Sequence, residues 1–463
     1  MNNGPAEVKM APVERVPFVS HIATAATRWS TRWVPDAYVI AVILTVIAAL
    51  LAMIFAKATP FQIVKYWGDG FWVLLTFAMQ MCLIILTGYV LATAPPVGRL
   101  LDRLASLPKT PRQAVLLVAL VSMLFSLLNW GLSIVGSAVF VRYVARKVKG
   151  VDYRLLVASA YLGLGTTWHA GLSASAPLLV ATPKHFLEKE IGLIPVTQTI
   201  FTVPNLVLVV VVIAAMAIIA PMMMPKKSEV VEVDPELLKE LKDFEPPSRP
   251  ERSVITPAER IEHSPWINLV IAVAGLIWLG QYFYTKGPAI TLDVVNFTFL
   301  MLGVLLHWTP ASLLKASQEA GGFIWGVVMQ FPFYAGIFGI VNYSKLADII
   351  GNWFVSISTP HTYPLIVYWY SGLLNYLVPS GGSKWAIEAP YIISAANQIG
   401  VSVPATVMAY AWGDMATDII QPFWAIPLLG VAKLRFRDIM GFCMIFFIVN
   451  IVLVSLGFLV LRF

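Results

Sequence analysis

The chain has 463 residues, 58% hydrophobic and 12% charged, with a net charge of +7; an ordinary soluble domain carries about a quarter charged residues. So little polar surface cannot cover a globule in water, and the apolar residues form runs long enough to span a hydrocarbon core of about 30 Å, which excludes a soluble enzyme. The lysines and arginines flank these runs and make no patch interleaved with aromatics, so the positive charge reads as loop charge on one side of a membrane and no nucleic-acid partner is expected.

Residues 1–36 are polar, lack the charged-apolar-cleavage pattern of a secretory signal, and read as a cytoplasmic segment. A first span covers 37–55, followed by a polar turn over 57–65. A second span, 70–92, opens with Trp67-Gly68-Asp69-Gly70-Phe71-Trp72, an interfacial aromatic belt. Cys82 and Cys443 lie inside apolar runs and read as small hydrophobes. The next loop carries Arg99, Arg103, Lys109 and Arg112, and the apolar run 114–141 ends in Arg142, Arg146, Lys147, Lys149 and Arg154. Both flanks are basic, so both belong in the cytoplasm, and the run reads as a re-entrant hairpin with its tip at Leu128-Asn129-Trp130-Gly131. Polar backbone at such a tip is tolerated only where protein or a wet cavity lines it. The run 155–183 holds Gly163-Leu164-Gly165-Thr166-Thr167-Trp168-His169-Ala170-Gly171-Leu172-Ser173, too polar and glycine-rich for a plain lipid-facing helix, and reads as a broken span. The span 201–224 closes this half.

Residues 225–265 mix charges and prolines and read as a cytoplasmic linker, with a short surface helix over 237–241. Spans follow at 266–283, 292–306 and 322–341. A second hairpin, 363–396, breaks at Asn375-Tyr376-Leu377-Val378-Pro379-Ser380-Gly381-Gly382-Ser383. The run 403–429 is interrupted at Trp412-Gly413-Asp414, Lys433, Arg435 and Arg437 make a basic loop, and 439–461 is the last span.

The halves resemble each other. Leu374-Asn375 follows Leu128-Asn129, and Gly382-Ser383 follows Gly136-Ser137, each by 246 residues. Ala409-Tyr410 and Pro427-Leu428-Leu429 repeat Ala160-Tyr161 and Pro177-Leu178-Leu179 at offsets of 249 and 250. The fold class is therefore an all-α polytopic membrane protein of two repeats, 37–224 and 292–463, each with four spans (one broken) and a re-entrant hairpin. The unpaired span 266–283 reverses the second repeat relative to the first. Lys315 and the 433–437 cluster fit cytoplasmic loops, while the expected outer loops near Ile350 and Gly400 are poor in basic residues. This puts the N-terminus in the cytoplasm and the C-terminus in the periplasm of a bacterial inner membrane.

Inverted repeats with broken helices are the architecture of secondary transporters. Helix ends at a break supply unpaired N–H groups and the positive end of a dipole to an anion. The candidate site residues are Asn129, Trp130, Ser133, Ser137, Thr166, Thr167, His169 and Ser173 in the first half, and Asn375, Ser380, Gly381, Gly382, Ser383, Asp414 and Asp418 in the second. Oxygen ligands for a coupling Na⁺ would come from Asn129, Ser137, Asn375 and Ser383; a coupling H⁺ would be carried by His169, or by Asp414 or Asp418, either of which could instead bind a cation. No resident cofactor is expected. Lys384 and Glu388 are charged inside an apolar run, but stand i, i+4 and could simply pair with each other. Trp130, Trp168 and Tyr376 would wall a short apolar tail.

Many stretches in order resemble the bacterial short-chain fatty acid transporter family, whose known member is associated with acetoacetate and butyrate use. Among them are Trp33-Val34-Pro35-Asp36, Phe77-Ala78-Met79-Gln80-Met81, Leu178-Leu179-Val180-Ala181-Thr182-Pro183, Phe331-Pro332-Phe333-Tyr334-Ala335-Gly336-Ile337, Val378-Pro379-Ser380-Gly381-Gly382, Gln421-Pro422-Phe423-Trp424-Ala425 and Arg437-Asp438-Ile439-Met440-Gly441. The family looks like a branch of the larger ion-transporter superfamily. The resemblance implies a homodimer, a scaffold domain at its interface, and a transport domain around Asn129 and Asn375 that moves as an elevator among membrane lipids. It departs from the sodium-coupled dicarboxylate branch, which has Ser-Asn-Thr at its tips where this chain has Asn129-Trp130-Gly131 and Asn375-Tyr376-Leu377. The expected function is transport of a short-chain monocarboxylate coupled to H⁺ or Na⁺. The rivals are a carrier of another organic anion such as a dicarboxylate, an anion channel, and an intramembrane enzyme, for which Ser383-Lys384 is the single adjacent candidate pair.

Overall fold

The computed structural model describes residues 37–233, 244–251 and 255–463, apart from Phe423 and Arg462. The N-terminal segment and the short helix expected over 237–241 lie outside the described residues. Among those residues every regular element is helical. The helices used below are α1 Ala37–Phe55, α2 Pro60–Gly70, α3 Leu75–Thr93, α4 Pro95–Leu104, α5 Pro111–Leu128, α6 Trp130–Lys147, α7 Tyr153–Thr166, α8 Ala176–Leu179 and α9 Val203–Met222. They continue as α10 Pro265–Lys286, α11 Leu292–His307, α12 Pro310–Gly321, α13 Trp325–Tyr343, α14 Leu346–Ile357, α15 Tyr363–Leu377, α16 Gly381–Ile399, α17 Val403–Ala416, α18 Ile426–Ala432 and α19 Phe436–Val460. Seven of them, α1, α3, α5, α9, α10, α13 and α19, are long and apolar enough to cross a membrane.

The element series recurs. The start of each helix from α2 to α4 and of α7 and α8 is matched about 250 residues later by α12 to α14 and by α17 and α18. Local chemistry repeats with it. Thr59 caps α2 ahead of Pro60, and Thr309 caps α12 ahead of Pro310. A side-chain oxygen accepting a first-turn N–H, followed by a proline that has no N–H to leave unpaired, is a strong helix start. α10 stands outside the series and is largely uncovered by the rest of the chain, with Trp266 69% and Tyr284 91% exposed.

Four polar stretches expected as turns or loops are helical. The turn at 57–65 contains most of α2, the basic loop before 112 contains α4, the connection at 307–321 is α12, and the loop near Ile350 is α14. The caps explain α2 and α12. In general, charges at these places mark the polar face of a short amphipathic helix and do not break it.

Both expected hairpins fold back on themselves. Ser133 Oγ donates to Ser122 O at 2.9 Å, which sets α6 antiparallel against α5. Tyr370 and Tyr391 share a hydroxyl contact at 2.9 Å across α15 and α16. The turns differ. Asn129 alone, with extended backbone, joins α5 to α6 and caps α6 by accepting the Leu132 N–H at 2.9 Å. Three residues, Val378 to Ser380, join α15 to α16.

In a bilayer, lipid tails are as apolar as leucine, so helices associate through close packing and hydrogen bonds. Two glycines carry this for the hairpins. A Cβ on Gly163 would stand 2.3 Å from Ser122 O, and one on Gly413 would stand 2.3 Å from Tyr368 O. In each half the first hairpin arm thus lies directly on the backbone of the helix that follows the hairpin. The second arms, α6 and α16, pack outward on α3 and α13.

Candidate transport site

α7 ends at Thr166 and the chain turns through a single 3-10 turn, Trp168–Ala170, before α8. α17 ends at Ala416 and turns likewise through Asp418–Ile420 before α18. The two breaks meet, and the meeting is sealed: His169, Lys384, Glu388 and Asp414 are all 0% exposed and Asp418 is 1% exposed.

Lys384 is the hub. Its Nζ lies 2.9 Å from Glu388 Oε1 and 3.1 Å from Asp414 Oδ1. It also donates to Ser371 O at 3.1 Å and Ser371 Oγ at 3.2 Å, and sits 4.2 Å from the centre of the Tyr410 ring. Ser371 Oγ donates to the other oxygen of Glu388. His169 Nδ1 lies 2.9 Å from Asp414 Oδ2, and its Nε2 accepts the Ala176 N–H at 3.2 Å. A ring nitrogen that accepts an N–H carries no proton, so His169 is neutral here and its one proton, on Nδ1, points at Asp414. Asp418 accepts from Trp168 Nε1 at 3.0 Å and from Asn375 Nδ2 at 2.8 Å, two neutral donors.

An aromatic group borders these charges. The Trp168 ring stacks on His169 at 4.3 Å between centroids. Trp130 lies 6.4 Å from Trp168 and 5.3 Å from Trp424. Trp424 Nε1 donates to Pro379 O at 2.8 Å, so the group joins the two hairpin tips. Gly381 backs onto the cluster: a Cβ there would stand 2.7 Å from Asp414 Oδ2 and 2.7 Å from the Trp168 ring. Tyr410 holds this backbone in place by donating to Gly381 O at 2.7 Å.

Of the residues singled out from sequence, His169, Asn375, Gly381, Asp414 and Asp418 come together, with Trp130 beside them. Others are occupied elsewhere. Thr166 donates to Leu162 O of its own helix at 2.6 Å. Thr167 donates to Met123 O at 3.1 Å, and Ser133 to Ser122 O, fastening α5 to its neighbours. Ser173 braces the first tip, accepting the Trp130 N–H at 2.9 Å. Ser380 and Ser383 bond each other, Gly382 lies against Phe77, and Tyr376 is half-buried at the second tip. Lys384 and Glu388 do pair, and the arrival of Asp414 makes them part of a larger cluster. Tyr410 and Ser371 escaped the sequence reading. Each stands one helical turn before a residue already chosen, Asp414 and Asn375 respectively, and so shares its face.

The oxygen atoms suggested for a sodium ion do not form one set. Ser137 is eight residues along α6 from Asn129, about 12 Å at a rise of 1.5 Å per residue, and both polar ends of Asn129 are engaged, by Leu132 N and Ile84 O. Asn375 Oδ1 and Ser137 Oγ are buried without a hydrogen-bond partner among the described residues. A cavity of about 760 Å³ lies between α3, α6 and α12, lined by the cations Arg99, Arg142 and Lys315 as well as Tyr89 and Glu319.

The family model described as short chain fatty acid transporter matches residues 18–461. The chain belongs to the short-chain fatty acid transporter family. Two relatives carry the same family name. The one from Escherichia coli strain K12 is 43% identical over 428 residues, covering 92% of this chain and 96% of its own. The one from Haemophilus influenzae is 37% identical over 450 residues, covering 95% of this chain and 100% of its own. In fold the chain is similar to the YdaH transporter of Alcanivorax borkumensis, with a TM-score of 0.56 at 15% identity over 91% of this chain and 98% of that one. The family is one of membrane transporters, not enzymes, and the chain is a polytopic all-α membrane protein.

Proposed function

We propose that the chain carries short-chain monocarboxylates such as butyrate or acetoacetate across the bacterial inner membrane, together with H⁺ or Na⁺, by alternating access. The observation that carries this reading is the sealed meeting of two helix breaks, where a buried cluster of one lysine and three carboxylates is bordered by a group of indoles. A carboxylate needs a cation or free N–H groups; a chain of a few carbons needs a short apolar wall. Trp130, Trp168 and Trp424 provide the wall; Lys384 is already shared by Glu388 and Asp414, so the charge of the substrate calls for a co-transported cation.

In this reading the repeats are inverted, with the N-terminus cytoplasmic and the C-terminus periplasmic, and two copies pair through scaffold helices. The transport body is built on the hairpins, whose arms α6 and α16 slide as an elevator on α3 and α13. The cavity lined by Arg99, Arg142 and Lys315 is the cytoplasmic vestibule, where fixed cations raise the local concentration of an anion.

The test is uptake of labelled butyrate and acetoacetate into proteoliposomes under separately imposed Na⁺ and pH gradients. Accumulation driven by either gradient is expected. Folded protein that neither binds nor moves any carboxylate of two to six carbons overturns the reading.

A further inference from the structure

The central cluster has a charge imbalance. Three carboxylates, Glu388, Asp414 and Asp418, share one lysine, and all four side chains are buried. Lys384 reaches Glu388 and Asp414. His169 adds no charge while its Nε2 accepts the Ala176 N–H. Among the described residues the Asp418 carboxylate accepts from Trp168 and Asn375, both neutral. With every carboxylate ionised the cluster is at −2, and a bound monocarboxylate would take it to −3. Charge buried at that depth has to be neutralised or paired.

A second observation sits beside Asp418. Asn375 donates its Nδ2 to Asp418 Oδ1 at 2.8 Å and to Thr417 Oγ1 at 3.1 Å, while its Oδ1 is fully buried and bonded to nothing among the described residues. The amide therefore matches an ionised Asp418 at one end and wastes its acceptor at the other. If Asp418 gains a proton, the match reverses. The new O–H needs an acceptor, and turning the amide brings Asn375 Oδ1 to it. The Thr417 hydroxyl, which now donates to Gly372 O at 2.9 Å, can swing to the same oxygen.

Resting on the transport reading above, we infer that the co-transported cation is a proton, that Asp418 carries it, and that Asn375 at the second hairpin tip responds to it by turning its amide. No bond but the O–H is made or broken: the proton arrives from water with the substrate and leaves to water with it. The groups facing Asp418 are Asn375 from α15, Trp168 and, through its hydroxyl on Asp418 O at 2.9 Å, Tyr161 from the first break and α7. Asp414, Lys384, Glu388 and His169 complete the charged surroundings. Asn375 is a positioning residue: it acts on the substrate through the tip.

The deciding measurement is the number of protons taken up per butyrate bound by the purified full chain, from calorimetry in buffers of different ionisation enthalpy, together with infrared difference spectra using carboxyl-labelled butyrate. Wild-type protein should take up about one proton per butyrate and show a new unlabelled carboxylic-acid band. D418N should lose the band and the proton uptake. N375D and N375L should shift the pH dependence of binding, which a merely structural asparagine would leave in place. Butyrate binding with no proton uptake, or a band that survives in D418N, overturns the inference, as does accumulation driven by Na⁺ alone. If D418N does not fold, the wild-type proton count and the Asn375 variants decide. Failure of wild-type protein to bind butyrate at all is a different result and sinks the transport reading instead.

Discussion

Lys384→Met tests the cluster most directly. The substitution keeps a long unbranched side chain, so the buried volume is nearly preserved and the loss is one of charge and hydrogen bonds. Two readings of Lys384 give different magnitudes. If it is one member of an ordinary i, i+4 helix pair with Glu388, its removal costs about 0.3–0.5 kcal/mol. In the structure it bonds Ser371 twice, lies 2.9 Å from Glu388 and 3.1 Å from Asp414, and is 0% exposed. Removing one partner of a buried ion pair strands the other and costs about 3–5 kcal/mol. Here two carboxylates are stranded, so the upper part of that range is expected.

The assay is reversible unfolding of the purified protein by SDS in mixed micelles, followed by tryptophan fluorescence. The double variant K384M/E388Q separates the contributions, because it removes one of the two stranded charges. It should fall between wild type and K384M. A loss below about 1 kcal/mol for K384M would falsify the hub assignment, since it would mean that water or a nearby proton already neutralises the carboxylates. A double variant less stable than K384M would show that Glu388 is held chiefly by Ser371.

Three further outcomes are expected. Gly163→Ala and Gly413→Ala each place a Cβ 2.3 Å from a carbonyl oxygen of the first hairpin arm; relief needs a shift of about 1 Å and should cost about 2–4 kcal/mol in the same unfolding assay, whereas Gly430→Ala, which meets nothing within 4 Å, should be silent. Gly381→Ala drives a methyl into Asp414 and the Trp168 ring, and should lower butyrate affinity by more than tenfold in calorimetry while leaving the fold intact by circular dichroism. In the loop after α8, burial holds the His185 imidazole below its ordinary value. The neutral ring accepts the Leu187 N–H at Nδ1 and faces Gly192 O with Nε2. A lowered folded value makes its contribution present above the unfolded value and lost as pH falls through the folded one. The protection of amides over 184–194, taken relative to the intrinsic exchange rate at each pH, should therefore fall between about pH 7 and pH 5, and His185→Gln should flatten that change.

Much of this was readable from charge placed where charge is expensive. His169, Asp414 and Asp418 stand out because each interrupts an apolar run, and all three reach the centre. The hairpin tips stand out because Asn129 and Asn375 sit among residues that break helices. What remained hidden depended on tertiary arrival. Lys384 has a sufficient partner four residues away, and nothing local announces that Asp414 approaches from another helix. Serines and threonines are the opposite case. Ser133, Thr166 and Thr167 look like ligands, yet each bonds a carbonyl of its own or a neighbouring helix, and composition cannot separate these uses. The short helices α2 and α12 were missed although Thr59-Pro60 and Thr309-Pro310 stand 250 residues apart, a cap signal that outweighs the polar residues after it.

The repeat is closest in backbone and has parted in chemistry. The starts of the hairpin arms and of the broken helices recur at offsets of 250 to 252 residues, and the turn between the hairpin arms is where the two halves differ. One residue, Asn129, suffices for the first turn, while the second uses three. Gly381, directly after the longer turn, lies against Asp414, and Lys384 stands in the first turn of α16. At an offset of 250, the counterpart of Asp414 is Leu164 and that of Asp418 is Trp168, while His169 corresponds to Ile419. The first half thus contributes a neutral imidazole and indoles to a centre whose charges all come from the second half. Two breaks of similar geometry have therefore become one charged site with two kinds of wall. In the proposed transport cycle a carboxylate and its compensating cation would meet in one place, which would tie the two movements together more tightly than two separate sites would.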